Sequence, residues 1–280
     1  MSEVINRNEV RLIGLSRSGT HAISHWIMAQ LDGRVCFLNC AEGKANPYAT
    51  ARPMGHGLPY ETQGLDLDLE AERARRFRAK DWLLFTHEDS FLGHACSDVY
   101  EQHHDTWVGR SARRVDVLVL RDPFNLFASR LRRPAGMVKP AAAMRIWKQH
   151  ARQFTRGPRS LRHGPVLISF NRWFSDRTYR QRLAERLGFA FTDKGRERVP
   201  SVFGGSSFDG LQYDGRAERM KVLERWKTMT DDEPYLALFD EEARALSEAV
   251  FGDPPPVFTQ QAARGERGRR ATEAAASMRT

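Results

Sequence analysis

Four apolar runs stand out of a polar background, at residues 10–15, 82–85, 115–120 and 166–170. The last three are short and rich in Val, Leu and Ile, which predicts strands buried on both faces. Apolar residues recur at helical spacing over about 20–31, 124–131, 140–154, 176–187, 216–229 and 231–251. On the first of these, Ile23, Trp26, Ile27 and Leu31 share one face and read as core. Strand and helix patterns alternate, so the chain is expected to be α/β, with a central parallel β-sheet flanked by helices. Residues 39–65 break the alternation: Gly, Pro and small polar residues without a period predict a long loop. Together with 92–110 and 132–142, that loop is a candidate wall for an acceptor site.

Beyond Pro254-Pro255-Pro256 the composition shifts to Ala, Arg, Gly and Thr, with Arg264, Arg267, Arg269 and Arg270 close together. The expected division is an α/β domain over 1–256 and a basic, weakly ordered tail over 257–280. At 280 residues, 41% of them hydrophobic, the chain can bury a substantial core and is not a disordered type. No apolar stretch approaches a membrane span, and the start is polar and acidic, unlike a secretory signal, so a cytoplasmic location is expected. Cys36, Cys40 and Cys96 make neither a paired framework nor a zinc quartet and read as free thiols. His21 and His25 are four apart on a predicted helix, but no third ligand follows at zinc-site spacing, so no metal is expected. The formal charge of +9 favours anionic ligands.

Residues 14–21 read Gly-Leu-Ser-Arg-Ser-Gly-Thr-His, between the first strand and the first helix. A strand that turns through two glycines into a helix aims several backbone N–H groups at one spot, with the positive end of the helix dipole behind them. That is a phosphate cradle. Its G-x-x-x-x-G spacing is that of a P-loop, yet Thr20 and His21 follow Gly19 where an ATP-binding loop has Lys and Ser/Thr. The cation here is Arg17, within the turn, whose fork of donors can grip an anionic oxygen. Further on, the strand at 115–120 runs into Arg121-Asp122-Pro123, with Ser129 eight positions after Arg121. Pro123 opening a helix puts Arg121 at the carboxyl edge of the sheet, where a guanidinium and a hydroxyl two turns on can converge on one phosphate.

These two motifs resemble the 5′- and 3′-phosphate signatures of PAPS-dependent sulfotransferases: Arg17-Ser18-Gly19-Thr20 matches the first, and Arg121-Asp122-Pro123 with Ser129 the second. Thr86-His87, at the end of the run 82–85, resembles the pair that holds the general base in the cytosolic members. The resemblance covers about residues 10–173, with the motifs in the family's order, and implies a P-loop-like sulfotransferase architecture. It departs at Phe85, where the family has lysine, and at Ala22, where it has an aromatic that packs on adenine. Phe170 or Trp173 is then the candidate adenine platform. The family's late R-K-G string is absent, and the stretch 203–210, with Gly204, Gly205 and Ser206, is the positional substitute for the loop over the 3′-phosphate.

What the resemblance implies is transfer of a sulfuryl group from PAPS to a hydroxyl or amine of a small-molecule or glycan-like acceptor, leaving 3′,5′-ADP. Arg17, with Ser18, Gly19, Thr20 and His21, would bind the 5′-phosphate, and Arg121 with Ser129 the 3′-phosphate. His87 would act as general base, with Glu88 as fallback. The alternatives are a P-loop kinase of a small molecule or nucleotide, for which the loop lysine is missing, and a nucleic-acid-binding protein, for which no basic, aromatic-studded reading element is visible.

Overall fold

A computed structural model describes residues 3–133, 138–201 and 204–258. Six strands form one sheet: β1 (Val4–Gly14), β2 (Val35–Leu38), β3 (Tyr60–Gln63), β4 (Lys80–Glu88), β5 (Arg110–Leu120) and β6 (Val166–Ser169), in the order β3-β2-β4-β1-β5-β6. Every neighbouring pair is parallel except β2 with the edge strand β3. The α/β expectation therefore holds, with helices on both faces.

β1, β4 and β5 start well before their apolar runs. The extra length of β1 brings Asn6 and Glu9 into the buried sheet, and polar residues also interrupt the apolar runs themselves. Arg11 on β1 faces Asp116 on β5, with Nη2 and Oδ1 2.8 Å apart. Glu9 accepts from Ser111 Oγ at 2.5 Å and lies 2.6 Å from His104 Nε2. Paired charges of this kind sit inside a sheet at little net cost, while breaking one pair leaves an uncompensated ion.

Seven helices matter for the site: α1 (Thr20–Met28), α2 (Asp98–Val108), α3 (Pro123–Arg132), α4 (Pro140–Arg156), α5 (Phe170–Ser175), α6 (Arg177–Leu187) and α7 (Glu241–Phe251). Ile23, Trp26 and Ile27 of α1 and Leu183 and Leu187 of α6 cover one face of the sheet against Val10, Leu12, Leu84, Val117 and Val119. On the other face, Tyr100 and Val108 of α2 pack with Leu83 and Phe85, while α3 and α4 bring Phe124, Phe127 and Trp147 against Leu15 and Leu120.

The structure revises several expected elements. Residues 216–229 do not form a helix: they make two short 3₁₀ turns, Ala217–Arg219 and Arg225–Met229. The stretch 231–251 is broken because the Asp240 side chain caps α7, accepting from Ala243 N at 2.9 Å. The strand expected at 166–170 is β6 and stops at Ser169, whose hydroxyl caps α5. The loop at 39–65 contains β3 and a helical turn, Pro47–Thr50, and 92–110 contains α2. Phe258, past the expected domain boundary, is 1% exposed and stacks on Phe124 with ring centroids 4.1 Å apart. The rest of the expected tail, and residues 134–137 of the loop at 132–142, lie outside the described residues.

Phe258→Ala should therefore lower the unfolding free energy by about 3–5 kcal/mol, the usual cost of emptying a buried aromatic site. Denaturant titration monitored by circular dichroism measures it, and a change under 1 kcal/mol would show that Phe258 is not core.

Candidate active site

β1 ends at Gly14 and the chain turns into α1 through Arg17 and Gly19, both left-handed with φ of 73° and 91°. A side chain at Gly14 would put its Cβ 2.9 Å from Ser18 Oγ, and one at Gly19 would lie 2.2 Å from the Phe170 ring. Gly14 is therefore required by close approach, and Gly19 by close approach as well as by its left-handed turn. Ser18 and Thr20 are buried with their hydroxyls 3.1 Å apart. Gly19, the N-cap of α1, offers no side-chain cap. The first turn of the helix thus presents unpaired donors and the positive dipole end to whatever lies in front of it. The Arg17 side chain makes no hydrogen bond or ion pair among the described residues, and its pKa is lowered by burial and then by Arg133.

The second motif meets the first. Asp122 caps α3, accepting from Asn125 N at 2.8 Å, with Pro123 in the first helical position. This fixes Arg121 between the turn and the helix. Its Nη1 donates to Arg17 O at 3.1 Å and to Ser129 Oγ at 3.3 Å, and its Nη2 to Val222 O. Its guanidinium also lies over the Phe170 ring, 5.0 Å from the centroid.

Arg225, which the sequence did not single out, completes the group. It donates to Ser129 Oγ at 2.9 Å and to Ser206 Oγ at 2.7 Å, with Asp209 Oδ2 at 3.4 Å. Ser129 gives its own proton to Asn125 O at 2.8 Å, so its oxygen is the acceptor for both arginines. Burial first, then Arg225, pushes the Arg121 pKa down to about 9. Burial, partly offset by Asp209, pushes that of Arg225 down to about 10. Arg121 Nε is buried with no hydrogen-bond partner among the described residues. Two cations this close in low dielectric call for an anion.

One cleft of about 490 Å³ joins both motifs. It is lined by Arg17, Arg52, Arg121, Arg133, Arg196, Arg198 and Arg225, and Glu88 is the one carboxylate among its lining residues. Gly19, Thr20, His21, Gly205 and Ser206 line it as well, as do Phe170 and Trp173. Ser18 and Ser129 are buried behind the wall. Gly204 is exposed, and a Cβ there would lie 3.3 Å from Arg133 Nη1, which places it at the edge. Arg225 and Arg196 carried no local signal, since nothing near them separates them from the other basic residues.

His87 is placed otherwise than the sequence reading expects. Successive residues of β4 point to opposite faces. Leu83 and Phe85 belong to the α2 face, and His87 follows their parity, with its ring 5.5 Å from Phe85. It is fully buried, bonds Ala41 O through Nδ1 at 2.7 Å, and is absent from the cleft lining. Burial also pushes its pKa down to about 4.

Glu88 has the opposite parity and lines the cleft beside the turn, where its Oε2 accepts from Ser16 Oγ at 2.9 Å. His21 Nδ1 is 3.7 Å from Glu88 Oε1, and His21 Nε2 is 2.8 Å from Asn39 Oδ1. Cys40 lies next to them, its thiol pKa raised by burial and then by Glu88.

No family model and no curated protein matches the chain. Solved structures do. The sulfotransferase domain of the Synechococcus PCC 7002 olefin synthase superposes with a TM-score of 0.54 at 13% identity, covering 90% of this chain and 98% of that one. The sulfotransferase domain of the curacin biosynthetic pathway gives 0.50 at 13% identity, covering 88% and 98%. Mouse sulfotransferase SULT7A1, complexed with PAP, gives 0.45 at 12% identity, covering 86% and 89%. The chain has the sulfotransferase fold, and its chemistry has to be argued from the site.

His87 and His150 are both buried neutral, each with a pKa pushed down to about 4 chiefly by burial. The unfolded chain takes up these protons near pH 6.5 and the folded chain only near 4, so stability is full above 6.5 and falls as pH drops through that window. Urea unfolding from pH 7 to 4 should show a loss of up to about 3 kcal/mol per histidine. His150→Gln should flatten the slope, and an unchanged slope would rule out that origin.

Proposed function

We propose that the protein is a sulfotransferase that moves a sulfuryl group from PAPS to a hydroxyl or amine of a small-molecule or glycan-like acceptor. The observation that carries this reading is the pair Arg121 and Arg225 sharing Ser129 Oγ in the same cleft as the Arg17 turn. Two cationic stations in one cleft suit a nucleotide with phosphate at both ends of its ribose, and the sulfotransferase fold is consistent with it.

In this reading Arg17 and the first amides of α1 hold the 5′-phosphate and balance the charge that grows on the leaving oxygen as the S–O bond to the phosphate breaks. Arg121, Arg225 and Ser129 hold the 3′-phosphate, while Phe170 and Trp173 supply the aromatic surface for adenine. The glycine-bounded loop with Gly205 and Ser206 supports Arg225, through Ser206 Oγ. Glu88, the fallback base of the sequence reading, takes the acceptor's proton as its oxygen or nitrogen attacks sulfur in line. His21 lies beside that carboxylate and helps to orient it.

Arg121→Ala and Arg225→Ala should each weaken 3′,5′-ADP binding about 10- to 100-fold in calorimetry without magnesium, since each removes charge-assisted hydrogen bonds. Tight Mg·ATP binding with no affinity for 3′,5′-ADP would overturn the assignment. Glu88→Gln should lower kcat with PAPS by about 10²–10⁴-fold while sparing 3′,5′-ADP affinity. His87→Asn should keep kcat within a few-fold, and a loss equal to that of Glu88→Gln would return the base to His87.

A further inference from the structure

His21, Cys40 and Glu88 come from three separate segments, yet one ligand atom from each lies within 4.8 Å of the other two. They line the same wall of the cleft. Nitrogen, sulfur and oxygen donors together suit a borderline-soft dication such as zinc, whereas magnesium prefers oxygen alone. A tetrahedral zinc ion would set nitrogen and oxygen ligands about 3.3 Å apart. His21 Nδ1 and Glu88 Oε1 stand at 3.7 Å, a small side-chain rotation away.

Each donor is also held from behind. Asn39 Nδ2 donates to Arg52 O at 3.0 Å, which turns Asn39 Oδ1 toward His21 Nε2 at 2.8 Å. Asn39 Oδ1 thereby engages His21 Nε2, and Nδ1 is the ring atom that faces Glu88. The second oxygen of Glu88 accepts from Ser16 Oγ at 2.9 Å. Cys40 is fixed in a left-handed conformation, φ 48°, by a hydrogen bond from its N–H to Thr86 Oγ1 at 2.8 Å. Metal-binding imidazoles and carboxylates are oriented by outer partners of this kind.

We infer that His21 Nδ1, Cys40 Sγ and a Glu88 carboxylate oxygen form a three-ligand site for a zinc-class dication, with the fourth coordination position open to the cleft. Binding replaces the thiol proton by the metal, and the proton leaves to solvent. The site shares Glu88 and His21 with the base proposed above, so a bound metal would take that carboxylate out of proton transfer; metal binding itself involves neither nucleotide nor acceptor, so its test can fail while the sulfuryl-transfer reading stands.

The test uses the full chain without nucleotide. Zinc competition against a chromophoric chelator should show one equivalent bound, weakened at least about 100-fold in Cys40→Ser and about 10- to 100-fold in Asn39→Leu, which removes an outer partner only. Cobalt(II) should give a thiolate-to-metal charge-transfer band in the wild type and in Cys36→Ser but not in Cys40→Ser, with each variant's melting temperature confirming that it is folded. A cobalt complex without that band, or equal zinc affinity in wild type and Cys40→Ser, would overturn the assignment.

Discussion

Two guanidiniums share one buried hydroxyl, and much of the cleft follows from that arrangement. Arg121 and Arg225 both donate to Ser129 Oγ. Their mutual repulsion is opposed nearby only in part, by Asp209 on Arg225 and by Asp122 beside Arg121. Like charges in such an interior are held by geometry, and the geometry comes from the start of α3. Asp122 caps the helix and accepts from Asn171 Nδ2 at 3.0 Å, which locks the end of β5 to α5. Asn125 then reaches the 3₁₀ segment, donating to Leu223 O at 3.1 Å and accepting from Trp226 N at 3.2 Å. A cation pair set on so rigid a frame is preorganised for an anion, with little reorganisation left to do when one arrives.

The sheet was legible in the sequence at the apolar runs of β1, β4, β5 and β6 and was cut short where polar residues enter it, while β2, only four residues long between a helix and a loop, was missed although all four are apolar and buried. Residues 4–9 of β1 contain Asn6 and Glu9, which look like surface and are buried because Val108 O and His104 meet them. No single-chain pattern announces such partners. The two turn motifs were legible because each is local: the first needs its glycines within a few residues, and the arginine, proline and serine of the second lie on one strand-to-helix corner. Arg225 is 96 residues from Ser129 and was invisible for that reason.

The choice between His87 and Glu88 shows a different limit. A strand buried on both faces has no hydrophobic alternation, so its sequence does not say which parity faces the cleft. The motif marked the strand end that reaches the cleft, and the pleat puts Glu88 rather than His87 in the cleft wall. His21, Cys40 and Glu88 are likewise far apart in sequence and meet only because β1, β2 and β4 are adjacent and end at the same edge.

The 3₁₀ segment over the cleft is tied down largely through its main chain: Val222 O to Arg121, Leu223 O to Asn125, and Trp226 N to Asn125. Backbone anchors do not depend on which side chains the segment carries. The path of the segment over the pocket is therefore set largely by main-chain groups, which leaves the Arg225 side chain as the one whose identity decides what the cleft presents there.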